Sequence, residues 1–309
     1  MSMTIRISAY NHGRSLRLDQ LAAAMEACPV CGDTAPRRSI GTIQRNPTVE
    51  LLECGGSSVS HMPLPEVLNE YYAEYYKQED KPKVTIGSVA RMAAHIRRVL
   101  PSTLATNPDG LTILDVGGGD GSISVALARL IGGPAQITVV DPSAEPVLGD
   151  ATIRVGHRTS LDETQGVYDL VIASGVVEHV PAAREFLTGL LERIRPGGLF
   201  YARTPYVAPF LRLLPWFDFA FPGHVHDLGP AFWAAVPEVF DPRLRIRHFQ
   251  TSLVETSWRE NPALTSLAYL LKLPSRLETS LRHRPTRFLW PYVGGWEVVF
   301  ERPGNNQES

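Results

Sequence analysis

Between Leu114 and Gly121 the chain reads Leu-Asp-Val-Gly-Gly-Gly-Asp-Gly, an acidic residue followed by glycines at 117, 119 and 121. Glycine accepts a left-handed backbone and lets the main chain approach a ligand with no Cβ between them. A helix starting directly after such a loop offers unpaired N–H groups. Asp141 closes a second apolar run, where a carboxylate can accept both hydroxyls of a ribose. The dinucleotide fingerprint G-x-G-x-x-G needs a third glycine under a pyrophosphate. Counted from Gly117 that position is Ser122, and counted from Gly119 it is Ser124. A carboxylate at Asp115 would repel a pyrophosphate and suits a cationic amino group, so the loop fits a zwitterionic ligand.

Two further groups carry chemistry. Cys28-Pro29-Val30-Cys31-Gly32 is a zinc knuckle, in which the glycine relaxes the turn around two thiolates. Cys54-Gly55-Gly56-Ser57 supplies half of a second knuckle, and His61 can complete a Cys3His set. The alternative is a decayed ribbon whose cysteines are simply buried. Histidines stand at 179 and in Gly223-His224-Val225-His226-Asp227. Histidine is the usual general base near neutral pH. If the second segment is extended, alternation places His224 and His226 on one side, facing substrate or acting as bases. The aromatic run Trp216, Phe217, Phe219, Phe221 can line an acceptor pocket or pack the segment onto the core.

These residues need elements to hold them. The spacing predicts a helix over 88–100, stopped by Pro101, and a tyrosine-rich helix over 64–78. From Leu111 the pattern alternates: strand 112–116, helix 122–131, strand 137–140, strands 152–155 and 170–173, helix 183–194, then a Pro196-Gly197-Gly198 turn into strand 199–203. Apolar strands alternating with amphipathic helices predict a doubly wound, mostly parallel sheet of the α/β class. Pieces at 247–253 and 296–300 can complete it. The expected organisation is a lead-in over 1–27, a cysteine-bearing segment over 28–62, and an α/β domain over 63–309 with a lid insertion at about 206–240.

Composition narrows the function classes. The 309 residues are 44% hydrophobic and 20% charged, which is the balance of a globular chain and excludes disorder as the main state. Thirty basic residues oppose thirty-two acidic ones, for a net charge of −2. That balance gives no overall attraction to nucleic acid, and no nucleic-acid partner is expected. The apolar tracts 217–221 and 267–271 are too short to span a bilayer. Three cysteines make no disulfide framework, and the expected location is the cytoplasm.

The stretch from Asp115 to Gly121 resembles motif I of the class I S-adenosylmethionine-dependent methyltransferases. Val139-Val140-Asp141, Tyr168 to Ser174 continuing to Val177-Glu178-His179-Val180, and Arg195-Pro196-Gly197-Gly198-Leu199 resemble later motifs of the same family, in the same order. The resemblance implies a Rossmann-like, seven-stranded sheet and S-adenosylmethionine as cofactor. It places Asp115, Gly117, Gly119 and Gly121 around the methionine portion and Asp141 on the ribose. Ser160 and Leu161 fall at the adenine edge, with the register there open to Asp162, and Ser174 falls at the fourth strand end. It turns His179 toward the reacting centre and gives Glu178 a role in orienting the loop or holding a divalent cation. The cysteine segment resembles the N-terminal zinc ribbon of many bacterial methyltransferases, including several acting on sugars, and any zinc there is expected to be structural. The stretch 291–297 looks like endings seen among polysaccharide-cluster methyltransferases. The resemblance thus implies methyl transfer to an oxygen, or else a nitrogen, of a small molecule or glycan precursor. A secondary metabolite such as a polyketide or aromatic compound is the second acceptor class. A non-catalytic, cofactor-binding partner protein is the reading from another class.

Overall fold

A computed structural model describes residues 4–6, 15–17, 27–35, 37–45, 48–56, 59–61, 68, 88–102, 104, 110–142, 147, 149–206, 208–211, 223–253, 262–282, 290 and 293–304. The expected tyrosine-rich helix, the aromatic run 216–221 and Ser57 lie outside these residues.

Strands β1 (Thr4–Arg6) and β2 (Ser15–Arg17) pair antiparallel. Strands β3 (Arg38–Arg45), β4 (Thr48–Glu53) and β5 (Ser60–His61) form an antiparallel sheet within the cysteine-bearing segment. Helix α1 (Val89–Val99) follows, its first turn capped by the Ser88 hydroxyl accepting from the Arg91 N–H at 3.2 Å. The domain core is then β6 (Leu111–Val116), α2 (Ser122–Ile131), β7 (Ala135–Val140), β8 (Ile153–Arg158), β9 (Tyr168–Ser174), α3 (Ala183–Glu192) and β10 (Ile194–Tyr206). It closes with α4 (Ala208–Leu211), β11 (His226–Asp227), α5 (Pro230–Val239), β12 (Arg245–Thr251), α6 (Pro262–Arg282) and β13 (Gly294–Glu301).

The seven strands run in the order β12-β13-β10-β9-β6-β7-β8. β6 to β10 pair parallel, and β13 is antiparallel to both of its neighbours. This is the expected α/β sheet. β9 shows why it forms: its side chains are apolar on both faces, as a strand covered by helices on each side requires. Leu170 and Ile172 join the core under α1 and α2, whereas Val171 and Ala173 join the core under α3 and α5. At the other end of β9, Asp169 is fully buried. It accepts the Thr112 N–H and hydroxyl, each at 2.7 Å, and pairs with Arg195.

The chain leaves β6 for β7 and β8 on one side, then returns to β9 on the other. Such a reversal opens a crevice beyond the carboxyl ends of the strands. The glycine loop lies there.

Three expectations change. The Pro196-Gly197-Gly198 turn is absorbed into β10 as an irregularity between Ile194 and Leu199, Gly197 taking φ of +80°. Within the expected lid over 206–240, α5 is packed into the core: it buries Phe232, Trp233 and Val236, with the Trp233 indole N–H donating to the Thr204 hydroxyl at 3.0 Å. β11 leaves that region altogether and pairs with β5, His226 opposite His61. The third sheet is therefore β11-β5-β4-β3, completed by a strand from the far half of the chain. Helix α6 is inverted, burying Thr265, Lys272, Ser275 and Thr279 and exposing leucines along its other face, among them Leu270 and Leu281.

Candidate functional site

β6 delivers Asp115 to the crevice, and the loop after it turns on Gly117, Gly119 and Gly121, all with φ between +57° and +78°. Two of these turns admit no side chain. A Cβ on Gly117 would lie 2.9 Å from the Val176 side chain, and one on Gly121 would lie 2.7 Å from Val139 Cγ2. Around Gly119 there is open space. The Gly117 N–H donates to the Val140 carbonyl at 2.8 Å, which ties the loop to the end of β7. Asp141, directly after β7, accepts the Gly119 N–H at 3.0 Å. The two carboxylates expected to hold the cofactor thus flank one loop.

Asp115 is 4% exposed, and the Ser124 hydroxyl of α2 donates to it. Burial raises its pKa to about 7, with Asp141 and Asp120 pushing the same way. A cationic amino group beside Asp115 would favour the charged carboxylate that burial disfavours.

Ser160 stands at the start of a short 3-10 turn beyond β8, as expected for an edge residue. Leu161 is more constrained. Its carbonyl accepts from Thr164 and Arg193, and its side chain reaches Gly189 of α3. Ser174 ends β9 in register with Arg203 of β10.

Past β9 the chain makes a 3-10 turn over Val177–His179 and brings three groups together. Glu178, His179 and His224 place their ligand-type atoms within 4.8 Å of one another. The His179 and His224 rings meet edge to face at 4.6 Å. The Val225 N–H donates to the Glu178 carbonyl at 2.9 Å, clamping the two loops. His179 Nδ1 lies 2.7 Å from the Gly223 carbonyl. A carbonyl only accepts, so Nδ1 carries the hydrogen and Nε2 presents a lone pair. Burial lowers the His179 pKa to about 4 and that of His224 to about 3, so both rings are neutral at physiological pH. Burial raises Glu178 to about 8, which keeps it protonated there. The cluster thus holds neutral imidazoles beside a neutral carboxylic acid.

His226 is not part of this group. Instead of sharing a side with His224, it is 1% exposed, and its Nε2 donates to the Val180 carbonyl at 2.9 Å. Its Nδ1 lies 2.9 Å from Nδ1 of His61. Both nitrogens are engaged, which removes it as a base acting on substrate. Pairing with β5 sets His226 against His61, whereas His224 lies against His179.

The cysteines converge as the spacing predicts. Cys28, Cys31 and Cys54 bring their sulfurs within 4.8 Å of one another. The Cys31–Cys54 separation is 3.6 Å, near the edge of about 3.7 Å for a tetrahedron with zinc–sulfur bonds of about 2.3 Å. His61 Nε2 lies 3.0 Å from the Cys28 sulfur. Gly32, with φ of +78°, donates its N–H to the Cys28 carbonyl at 2.8 Å and closes the knuckle. The tautomer follows along the chain of rings. His226 gives its Nε2 hydrogen to Val180, so its Nδ1 accepts, His61 Nδ1–H donates, and His61 Nε2 turns a lone pair toward the sulfurs. The three sulfurs are gathered as a zinc site requires, while His61 reaches the Cys28 sulfur from outside that cluster. The knuckle is docked on α3: the Arg184 N–H donates to the Pro29 carbonyl at 3.0 Å, and its guanidinium donates to the Cys31 carbonyl.

Arg203 was not singled out from the sequence, where it is simply the last residue of an expected strand. The structure sets it beside the histidine cluster. Among the described residues no helix is long and apolar enough to cross a membrane.

Residues 89–238 match the model of a family described as a methyltransferase domain. Curated relatives include a ubiquinone biosynthesis O-methyltransferase of Methylobacterium sp. (strain 4-46), 37% identical over 105 residues, covering 31% of this chain and 41% of that protein. Its counterpart in Paramagnetospirillum magneticum is 35% identical over 119 residues, covering 36% and 47%. An uncharacterized methyltransferase of Mycobacterium sp. (strain KMS) is 30% identical over 146 residues, covering 45% and 57%. The chain thus spans about half the length of the curated relatives it matches. Among solved structures, the plantazolicin methyltransferase BamL with a triazolic analogue and SAH matches at a TM-score of 0.46 and 11% identity, covering 75% of this chain and 91% of that one. Residues 89–238 thus match a methyltransferase-domain family, and the glycine loop, the acidic residue after β7 and the strand order have the form of its class I, S-adenosylmethionine-dependent members.

Proposed function

We propose that this protein transfers the methyl group of S-adenosylmethionine to an oxygen of a small molecule, with His179 as the general base. The observation that carries the reading is the His179 ring, which is neutral and fixed in its tautomer by the Gly223 carbonyl, directly past the strand that borders the glycine loop. The cofactor brings an electrophilic methyl. The chain's part is to align the acceptor, exclude water and take a proton from the attacking hydroxyl. Glu178, protonated, hardens the loop without competing as a base. Its spacing with His179 and His224 would also suit a divalent cation, but the Arg203 guanidinium acts electrostatically on both Glu178 and His224 and opposes one. Oxygen as the accepting atom is favoured by the relatives named as O-methyltransferases. A sugar or glycan precursor is the acceptor favoured by the form of the cysteine segment, in place of an aromatic metabolite. Three thiols gathered at one point without a disulfide suit a reducing compartment such as the cytoplasm.

Asp141 tests the cofactor half. Hydrogen bonds to a charged group contribute about 1.5–3 kcal/mol each. Asp141→Ala is therefore expected to weaken S-adenosylmethionine binding by about 10- to 100-fold in calorimetry. Unchanged affinity would remove Asp141 from the ribose. Release of S-adenosylhomocysteine with hydroxylated sugars, aromatics and lipid quinol precursors tests the enzyme half. Cofactor binding with no turnover on any of them would favour a non-catalytic partner protein.

We further propose that Cys28, Cys31, Cys54 and His61 hold a structural zinc ion, with His226 fixing the His61 tautomer from behind. Burial raises the Cys28 thiol to about 12 in the metal-free site, a cost that a bound cation offsets. Metal analysis is expected to find one zinc per chain. Chelation is expected to lower the melting temperature, and Cys54→Ser to abolish the metal dependence. Equal melting with and without chelator, in protein free of metal as isolated, would leave the cysteines as packing residues only.

A further inference from the structure

On the acceptor side of the crevice two cations hang on one serine. The Arg203 Nε–H donates to the Ser252 hydroxyl at 3.0 Å, and the Lys272 ammonium donates to the Ser252 carbonyl at 2.7 Å. Ser252 is fully buried and Lys272 is 2% exposed. They converge where β13 begins with two glycines. A Cβ on Gly294 would lie 3.2 Å from the Lys272 ammonium, and one on Gly295 would lie 3.2 Å from a terminal nitrogen of Arg203. The glycine pair therefore makes room for two positive groups from β10 and α6.

The Arg203 charge is not neutralised locally. Among the described residues Arg203 has no carboxylate partner, its hydrogen bond to Ser252 being neutral. Glu297, the carboxylate nearest in register, lies opposite it on β13 but is held by His95 at 2.6 Å and His248 at 3.3 Å. Burial, and then Arg203 beside it, lowers the Lys272 amine to about 7 against the pull of Glu297, so the lasting charge of the pair is the guanidinium's. Toward the histidines, one oxygen of Glu178 is buried without a hydrogen-bond partner in the structure.

Position says what such a fork is for. Arg203 sits on β10, level with Ser174 on β9, and β9 borders β6. It is thus two strands, about 10 Å, from the strand that carries the glycine loop. That is past the histidine cluster, on the side away from the ribose carboxylate. A group there meets the acceptor, not the cofactor. A guanidinium with its terminal nitrogens unpaired matches a planar oxyanion with two parallel hydrogen bonds.

We propose that Arg203, with Lys272 behind it, is an oxyanion-binding subsite, and that the methyl acceptor carries a carboxylate or phosphate which docks on it. The idea rests on the crevice being a methyl-transfer site, and its test separates the two. S-adenosylhomocysteine binding is measured first, in wild type, Arg203→Met and Arg203→Lys, and is expected to be equal in all three. Inorganic phosphate and benzoate are then titrated into each cofactor-loaded protein by ligand-observed NMR, with benzyl alcohol as the uncharged counterpart. Wild type is expected to bind at least one of the two anions at least tenfold more tightly than benzyl alcohol. Arg203→Met is expected to lose that preference, and Arg203→Lys to keep part of it. If wild type binds neither anion, or if Arg203→Met binds them equally well, the subsite does not exist. Should Arg203→Met fail to fold, the comparison of wild type with Arg203→Lys and with benzyl alcohol decides: no preference for the anion overturns the proposal. If S-adenosylhomocysteine fails to bind wild type, the methyl-transfer reading falls, and the same titration on the unloaded protein still judges Arg203.

Discussion

In His179→Ala, turnover is expected to fall by about 10²- to 10⁴-fold, the usual contribution of a positioned general base. S-adenosylmethionine affinity is expected to stay within about twofold of wild type, because a 10-fold change would need about 1.4 kcal/mol of cofactor contact. The split follows from the geometry. The ring is held by the Gly223 carbonyl through Nδ1, packs against His224, and belongs to the turn after β9 and not to the Gly117–Gly121 loop. Single-turnover rates and calorimetry on the same preparation check both halves. Wild-type turnover in the variant would sink His179 as the base. A loss of cofactor binding matching the loss of rate would recast it as a loop-ordering residue.

Gly121→Val is expected to weaken cofactor binding at least 100-fold, about 2.7 kcal/mol. Two costs combine. A β-branched residue in the left-handed region is a steric outlier. The new Cβ would also stand 2.7 Å from Val139 Cγ2, inside the wall formed by β7. Relief requires moving a residue whose N–H donates to the Gly118 carbonyl and whose own carbonyl accepts the Val125 N–H, both at 3.0 Å, so the loop and the first turn of α2 shift together. Gly133→Asn is the control. That site also has positive φ, +83°, but is surrounded by open space beyond the other end of α2. It is expected to leave affinity unchanged. Binding by Gly121→Val at wild-type strength would show that the loop's shape is dispensable.

The α/β core was legible because its signals are local. Each of β6, β7 and β9 is an apolar run with a glycine, an aspartate or a serine at its carboxyl end, and α2 begins and ends at the glycines that bound it in the sequence. The cysteine knuckle and His61 were legible for the same reason, as spacing within about thirty residues. What was not legible depends on partners far along the chain. His226 could be assigned to His61 only once β11 was known to pair with β5, and a two-residue strand leaves no periodicity to read. α5 reads as part of an aromatic, proline-rich insertion until Trp233 is seen bonded to Thr204 under the sheet. α6 hides because its face toward the protein is polar and its leucines point outward, the reverse of the pattern that marks a surface helix. Arg203 is an ordinary strand residue in the sequence, and its meaning comes from Ser252 and Lys272, which α6 and the end of β12 bring to it.

The pairing of β5 with β11 bears on how this architecture can be inherited. His61 and His226 are separated by 165 positions and share one hydrogen bond. Two residues before that short strand, His224 meets the His179 ring. The cysteine-bearing segment is therefore not a cassette. A chimera that swaps residues 28–62 for those of a relative would have to import a matching His226 and its flanking strand, or lose both the ring behind His61 and the setting of His224. Recombination at the boundary after residue 62 is thus disfavoured. The two stretches are expected to vary as one unit among close relatives, even though nearly the whole methyltransferase core lies between them.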